Sequence, residues 1–256
     1  MPFNLLTGEA YMTYAQNLTK AAVYTAVSVF LLMCLNACFT MNTITGNGKV
    51  QTKSFPLSDF DSVSLSGGWT AEVVHGKDYT VEISLDGNLF GYLDVYVLGK
   101  TLHIAPKAGY HFNDSAHKVF ITMPALAELN GSGAIKSTVS GFNDGTSDLT
   151  LRISGSGTFK ADVIVRTLTL KGSGSAKFEL NGEAEDVSAQ ISGAGKIRAL
   201  GLKAQNADIR ISGAGSAEIR AEKKLKAVIS GAGIIKYAGS PQVSVSTSGA
   251  GSVTSL

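Results

Sequence analysis

Hydrophobic and polar residues alternate along most of the second half of the chain. At intervals the alternation is interrupted by Gly-Ser-Gly or Gly-Ala-Gly, and on both sides of each tripeptide every second residue is apolar. A period of two is typical of strands with one buried and one exposed face, and no useful stretch has the 3.6-residue period of a helix. The pattern predicts short strands joined at glycine corners. The tripeptides begin at Gly131, Gly155, Gly172, Gly193, Gly213, Gly231 and Gly249.

A repeat of about 20 residues made only of short strands cannot close a core alone, but stacked copies can. Gly67 and Gly99 extend the series to nine corners. We therefore predict an all-β fold, a single-stranded parallel β-solenoid of roughly nine coils stacked ~4.8 Å apart. Glycine supplies a positive φ where the chain changes face. The alternative is an antiparallel β-sandwich, which favours Asn-Gly or Asp-Gly hairpins instead.

Glycine is the excess in the composition, with 29 among 256 residues and 19 of them from Gly131 onward. Hydrophobic residues make up 44%, and 22 Lys and Arg face 20 Asp and Glu, which leaves a formal charge of +2. This is not the composition of a disordered chain. Because basic and acidic residues are interspersed, the sequence also lacks the concentrated basic surface of a nucleic-acid-binding protein.

The N-terminal segment predicts export. Residues 21–37 carry no charge, follow Lys20 and precede Cys38. This run is slightly short for a membrane span, which needs ~20 residues, and it has the layout of a secretory signal. Leu35-Asn36-Ala37-Cys38 resembles the bacterial lipobox, which implies cleavage before Cys38 and lipid on its thiol. An uncleaved signal anchor is the alternative.

These features divide the chain into three parts. We expect a lipoprotein-type signal peptide over residues 1–37, with Met1 or Met12 as the start, and a polar tether over residues 38–53. The solenoid domain is expected over residues 54–256. Acyl chains on Cys38 would be enough for stable anchoring in a membrane.

Several phrases resemble the family described as putative auto-transporter adhesin, head GIN domain. The resemblance covers about residues 46–256 and implies a right-handed parallel β-solenoid in an exported or lipid-anchored bacterial protein. It supplies no catalytic residue. Trp69, in the first corner, departs from the family pattern. The phrases are the segment Phe55 to Leu65, Val81-Glu82-Ile83, Asp86-Gly87-Asn88-Leu89, Leu102-His103-Ile104 and the later Ser-Gly-Ala-Gly corners.

One surface pattern predicts a binding site. When the corners are aligned on their tripeptides, the third residue after each corner is usually basic, which predicts a stripe with ~5 Å between neighbours. Such a stripe could bind an acidic polysaccharide or lipopolysaccharide phosphate. The alternative is a solubilising edge, relieved by Glu218, Asp162 and Glu179. The predicted stripe consists of Lys136, Lys160, Lys177, Arg198 and Lys236.

Candidate catalytic and metal sites are weak. His103, His111 and His117 lie near Asp114, but only His103 falls in a predicted strand, so we expect solvated histidines and no metal or cofactor. Glu183, Glu185 and Asp186 cluster in one predicted loop, whereas the outward column before the corners contains no acid. Glycan cleavage needs two acids about 5 to 10 Å apart, and the predicted strand faces offer no such pair.

The sequence thus favours a non-enzymatic, lipid-anchored protein of the cell envelope, in the outer membrane, that acts as an adhesion or interaction module. Its expected ligand is an envelope or extracellular glycan or protein. One alternative is a carbohydrate-active β-helix that binds or cleaves an acidic polysaccharide, and another is a purely structural envelope protein. Because solenoid ends expose strand edges, a homo-oligomer through the C-terminal end is also expected.

Overall fold

The computed structural model describes residues 42–113 and 117–256, so the predicted signal peptide and Cys38 lie outside the described residues. Among the described residues, strands dominate, one short 3₁₀ helix spans Gly87–Tyr92, and no helix is long and apolar enough to cross a membrane. The strands are β1 Asn42–Thr45, β2 Val50–Ser54, β3 Ser62–His75, β4 Thr80–Asp86, β5 Leu93–Leu98, β6 Thr101–Pro106, β7 Tyr110–Asn113, β8 Lys118–Met123, β9 Glu128–Asn143, β10 Asp148–Gly155, β11 Thr158–Gly174, β12 Lys177–Gly193, β13 Lys196–Gly213, β14 Ser216–Gly231, β15 Ile234–Ala238, β16 Gln242–Ser248 and β17 Ser252–Ser255.

The parallel solenoid is confirmed. From β9 to β17, each segment pairs in parallel with the equivalent segment of the next coil. β3 joins the same stack through a long parallel pairing with β9. The stack has fewer coils than the roughly nine predicted.

The overcount has a structural cause in the first half of the chain. Gly99 is not a corner, because it lies in the tight turn of the antiparallel hairpin β5–β6, with a φ of +61°. β4 also pairs antiparallel with both β2 and β8. In the chain between β3 and β9, β6 and β8 therefore continue the parallel stack beyond β3, while β4 and β5 add antiparallel pairs to it.

Each true corner is a Ser-Gly pair, and eight such pairs stack in register. Gly193 shows why glycine is needed. Its φ is +101°, and a Cβ added there would lie 2.8 Å from the carbonyl oxygen of Gly174 in the previous coil. An L side chain is therefore opposed both by its backbone angle and by contact with the neighbouring coil. The corner glycines are Gly67, Gly133, Gly155, Gly174, Gly193, Gly213, Gly231 and Gly249.

Gly131 and Gly172 were wrongly predicted to begin corners. They pair with Leu65, Ile153 and Ile191 at an inward position two residues before the corner glycine. A Cβ on Gly131 would lie 2.9 Å from the ring of Phe159. These two glycines make room for large inward aromatic rings, so here glycine serves packing rather than turning.

The core consists of inward side chains stacked coil on coil. Phe159 and Phe178 are fully buried and meet edge to face, with ring centroids 6.3 Å apart. Burying each large apolar side chain contributes about 1.5–3 kcal/mol relative to exposure. One representative ladder consists of Leu129, Leu151, Leu170, Ala189, Ile209 and Ala227.

Residues 42–53, predicted to be part of a tether, instead form strands. β1 pairs with β7, and β2 pairs with β4. The loop between β1 and β2 is held by the side chain of Asp86, whose carboxylate accepts a hydrogen bond from the backbone N–H of Gly48 at 2.8 Å. The compact unit therefore begins at Asn42 rather than at residue 54.

Two surfaces of the stack are used below. The pre-corner face consists of the outward residues of β5, β6 and the segments 62–66, 128–132, 150–154, 169–173, 188–192, 208–212, 226–230 and 244–248. The post-corner face consists of the outward residues of the segments 70–72, 136–138, 158–160, 177–179, 196–198, 216–218, 234–236 and 252–254.

Candidate ligand-binding face

The register of the strands gives the pre-corner face one continuous column of outward side chains, which crosses the sheet from strand to strand. Its central part is basic and contains no acid. We call it the cation column, after Arg152, Lys171 and Arg210. From the hairpin end to the last coil the cation column is Tyr96, His103, Ser64, Asn130, Arg152, Lys171, Gln190, Arg210, Val228 and Ser246.

A groove of about 510 Å³ runs between the middle of this column and the corner. One side is formed by the long side chains of Arg152, Lys171 and Arg210, and the other by a column of serines, the outward residues just before the corner glycines. Cations and hydroxyls thus border one continuous groove whose exposed surface is mostly apolar. The full serine column is Ser66, Ser132, Ser154, Ser173, Ser192, Ser212, Ser230 and Ser248.

The adjacent column, two residues earlier on each strand, partly offsets these charges. Glu128 pairs with Arg152 at 2.8 Å, and Asp208 pairs with Arg210 at 2.8 Å. Lys171 makes no ion pair among the described residues. With Lys226, which also approaches Asp208, the two columns hold four cations against two acids, so this part of the face stays positive.

The post-corner face differs from the predicted stripe. Lys160, Arg198 and Lys236 share a column, but Glu179 and Glu218 occupy the positions between them. Lys136 and Lys177 lie in the neighbouring column, two residues earlier on each strand. The expected run of basic residues is therefore wrong: the charges alternate in sign along the column.

Glu179 lies at the centre of this alternation. Its carboxylate is 2.5 Å from the ammonium of Lys177, 3.2 Å from that of Lys160 and 3.5 Å from the guanidinium of Arg198. Hydrogen bonds from Lys177 and then Lys160 lower the pKa of Glu179 to about 2. Three members of the predicted stripe thus have their charge offset by a single acid.

His103 lies apart from His111 and His117, which line one cavity. His103 lies on the pre-corner face, where its ring stacks on Tyr96, and His111 belongs to β7. His117 is buried, with Nδ1 2.9 Å from the carbonyl oxygen of Gly68. Residues 42–113 and 117–256 hold no group of three potential metal ligands, and Asp114 lies outside these ranges.

Three acids that the sequence places together lie on one strand. Glu183, Glu185 and Asp186 are exposed on β12, and Asp186 accepts a hydrogen bond from Asn206 at 2.9 Å. Elsewhere, hydrogen bonds from Ser147 lower the pKa of Asp144 to about 2. A general acid needs a raised pKa, which neither Asp144 nor Glu179 has.

The outward column before the corners, which the sequence predicts to contain no acid, includes Arg152, Lys171, Gln190 and Arg210 in neighbouring coils. The lack of acids argues against catalysis and gives no indication of the cations, which the sequence-based interpretation misses. Tyr96 was missed because the β5–β6 hairpin was interpreted as a coil. A basic residue in three of four successive coils was the available signal.

Comparison with known proteins agrees with this architecture. No curated protein matches the chain. A crystal structure of a putative lipid binding protein from Parabacteroides distasonis ATCC 8503 is 26% identical, covers 84% of this chain and 100% of its own, and superposes with a TM-score of 0.72. A putative adhesin from Bacteroides fragilis NCTC 9343 is 21% identical, with coverage of 83% and 100% and a TM-score of 0.78.

A third structure, a putative adhesin from Parabacteroides merdae ATCC 43184, is 24% identical, with coverage of 84% and 99% and a TM-score of 0.62. For the two adhesins, which are less than 25% identical to this chain, the likeness concerns the fold alone. The family assignment comes from the family model, which matches residues 59–241, most of the solenoid. The chain belongs to the family described as putative auto-transporter adhesin, head GIN domain.

Proposed function

We propose that this protein is a non-enzymatic adhesion module of the bacterial cell envelope, anchored in the outer membrane by lipid on Cys38, and that it binds an anionic polymer through the cation column. Membership of an adhesin-like family supports a cell-surface or envelope role. The observation that carries the proposed ligand is the groove of about 510 Å³ lined by Arg152, Lys171 and Arg210.

The spacing of the cations suits a polymer better than a small ion. Neighbouring coils are ~4.8 Å apart, so Arg152 and Lys171 are one step apart and Lys171 and Arg210 two steps. Each exposed ion pair with a ligand contributes only about 0.2–1 kcal/mol. A chain that meets several cations at once gains from effective concentration, since each contact after the first is intramolecular. Affinity therefore depends on the column as a whole.

The binding claim is tested by removing charge from one face at a time. Replace Arg152, Lys171 and Arg210 together by Ser. As a matched control, replace Lys160, Arg198 and Lys236 by Ser, which removes the same number of positive charges from the post-corner face. Binding to polyphosphate and to polygalacturonate is measured by calorimetry at low salt. We expect the first variant to lose at least about tenfold in affinity for both polymers and the control to lose little.

Equal losses in the two variants would mean that only net charge matters, and an unchanged pre-corner variant would overturn the proposal. Thermal unfolding of both variants shows whether each remains folded. All three replaced groups of the first variant are outward on the sheet, so we expect its stability to change by no more than about 1 kcal/mol.

The anchor is tested separately. Membrane-extracted protein should have an intact mass that corresponds to a chain starting at Cys38 with added acyl groups, and Cys38→Ser should abolish the modification and release the protein from the membrane fraction. A wild-type mass without acyl groups would exclude the lipid anchor while leaving the binding proposal standing.

A further inference from the structure

An exposed aromatic pair lies at the hairpin end of the cation column. The rings of Tyr96 and His103 are stacked, with centroids 5.1 Å apart and an interplanar angle of 17°. Tyr96 is 47% exposed, and Leu98, two residues further on the same strand, is 67% exposed. These side chains give the pre-corner face a flat apolar area bordered by polar groups.

The aromatic pair and the cations belong to one surface. Tyr96 pairs with His103, His103 with Ser64, Ser64 with Asn130, and Asn130 with Arg152, each on the next strand of the sheet. At ~4.8 Å per strand, Tyr96 lies about 19 Å from Arg152 along the column. An extended ligand that crosses the strands therefore meets the rings first, then a hydroxyl and an amide, then the cations.

This order of groups matches one ligand chemistry. An aromatic face stacks on the apolar face of a sugar ring, while amide and hydroxyl groups such as those of Asn130 and Ser64 hydrogen-bond to sugar hydroxyls. Arg152 and Lys171 suit carboxylates or sulfates. A polyanion without sugar rings uses the cations but gains nothing from Tyr96.

Building on the function proposed above, we propose that the polymer is an acidic glycan and that Tyr96 and His103 form a sugar-stacking subsite at one end of its binding path. Asp94 lies on the same strand as Tyr96, with one residue between them. A carboxylate so near the subsite favours an uncharged sugar there, so the charged sugars lie over Arg152, Lys171 and Arg210.

Two probes that differ in sugar rings separate stacking from charge. Polygalacturonate, used with part of its carboxylates as methyl esters, carries both neutral and charged sugar rings, and polyphosphate carries charge alone. Tyr96→Ala should weaken binding to polygalacturonate at least about fivefold and leave polyphosphate unchanged, whereas Tyr96→Phe should retain both affinities. The matched control is Phe120→Ala, which removes a 37% exposed ring from β8, outside the pre-corner face.

The outcomes distinguish this inference from the function on which it rests. If Tyr96→Ala leaves polygalacturonate binding unchanged, or weakens both probes equally, the sugar-stacking subsite is wrong. If the variant lacking Arg152, Lys171 and Arg210 binds both probes as the wild type does, the proposed function itself is wrong. Thermal unfolding of Tyr96→Ala excludes a general loss of structure as the cause of weaker binding.

Discussion

The cation column and the post-corner column from Lys160 to Lys236 are built by the same coils, yet their charges are ordered in opposite ways. Along the post-corner column, Lys160, Glu179, Arg198, Glu218 and Lys236 alternate in sign. Along the cation column, basic residues follow one another with only Gln190 between them and no acid in the column. Alternation is what stability alone would favour, so the cation column, which lacks it and lines the groove of about 510 Å³, is the better candidate for a ligand.

The energetic difference follows from the coil spacing. Two like charges about 4 Å apart repel by ~1 kcal/mol in water and more near a protein surface. Glu179 reduces this repulsion among Lys160, Lys177 and Arg198 by pairing with all three. On the pre-corner face, relief comes only from the side, through Glu128 and Asp208, and Lys171 receives none of it among the described residues. An anionic ligand would supply the missing counter-charge.

The largest expected effect comes from breaking the corner that joins the two faces. Gly193→Ala places a Cβ 2.8 Å from the carbonyl oxygen of Gly174 at a φ of +101°. A strained backbone of this kind costs about 1–3 kcal/mol, so the midpoint of thermal unfolding should fall by several degrees. Ala194→Ser is the matched control, because Ser156 and Ser175 occupy the equivalent position in earlier coils. Equal stability of the two variants would contradict the corner account.

The next prediction, with a smaller expected effect, tests whether the acids in the post-corner column keep that face from binding anions. Glu179→Lys converts the post-corner column to an unbroken basic run from Lys160 to Arg198. We expect a several-fold gain in polyphosphate affinity, together with a loss of about 1–2 kcal/mol in the free energy of unfolding as three ion pairs are replaced by repulsion. The matched control is Glu218→Lys, next to Arg198 and Lys236, which should give a smaller gain. No gain in either variant would mean that charge order does not set binding.

The smallest expected effect is on pH dependence. Because the pKa of Glu179 is lowered from 4.5 to about 2, its stabilising contribution is fully present above about pH 4.5 and is lost as the pH falls through 2. Glu179→Gln should therefore be less stable than the wild type by up to about 1 kcal/mol at pH 7, with the difference shrinking toward pH 2. Urea unfolding at the two pH values measures this. A difference that does not change with pH would show that the ion pairs contribute nothing.

Fold class was accessible from the sequence because its signals are local. Inward residues such as Leu151 and Ile209 follow a period of two, and corner glycines recur with a serine before them. Both features depend directly on the backbone conformation, the first on an extended strand and the second on the positive φ of the corner. The antiparallel hairpin β5–β6 was not accessible in the same way, since Gly99 between two alternating strands looks the same in a hairpin turn as in a coil corner.

The column in which an outward side chain lies was harder to predict than the face on which it lies. The tripeptides at Gly131 and Gly172 start two residues before those of the other coils, because glycine there replaces an inward Leu or Ile. A shift of one residue would move a side chain to the opposite face, but a shift of two preserves the face and moves it by one column. The prediction that Lys136 and Lys177 point outward is therefore correct, but the prediction that they share a column with Lys160 is wrong. These glycines make room for Phe159 and Phe178, which lie in neighbouring coils. Such a contact between coils is not visible in the local sequence pattern.

The most direct test of the central claim, that the ligand binds to the pre-corner face, uses the wild-type protein. Lysine acetylation by a soluble active ester is followed residue by residue by mass spectrometry, with and without saturating polygalacturonate. The account predicts that the ligand slows acetylation of Lys171 at least about fivefold while Lys160 and Lys236 react at unchanged rates. Protection of Lys160 and Lys236 with no effect on Lys171 would contradict it.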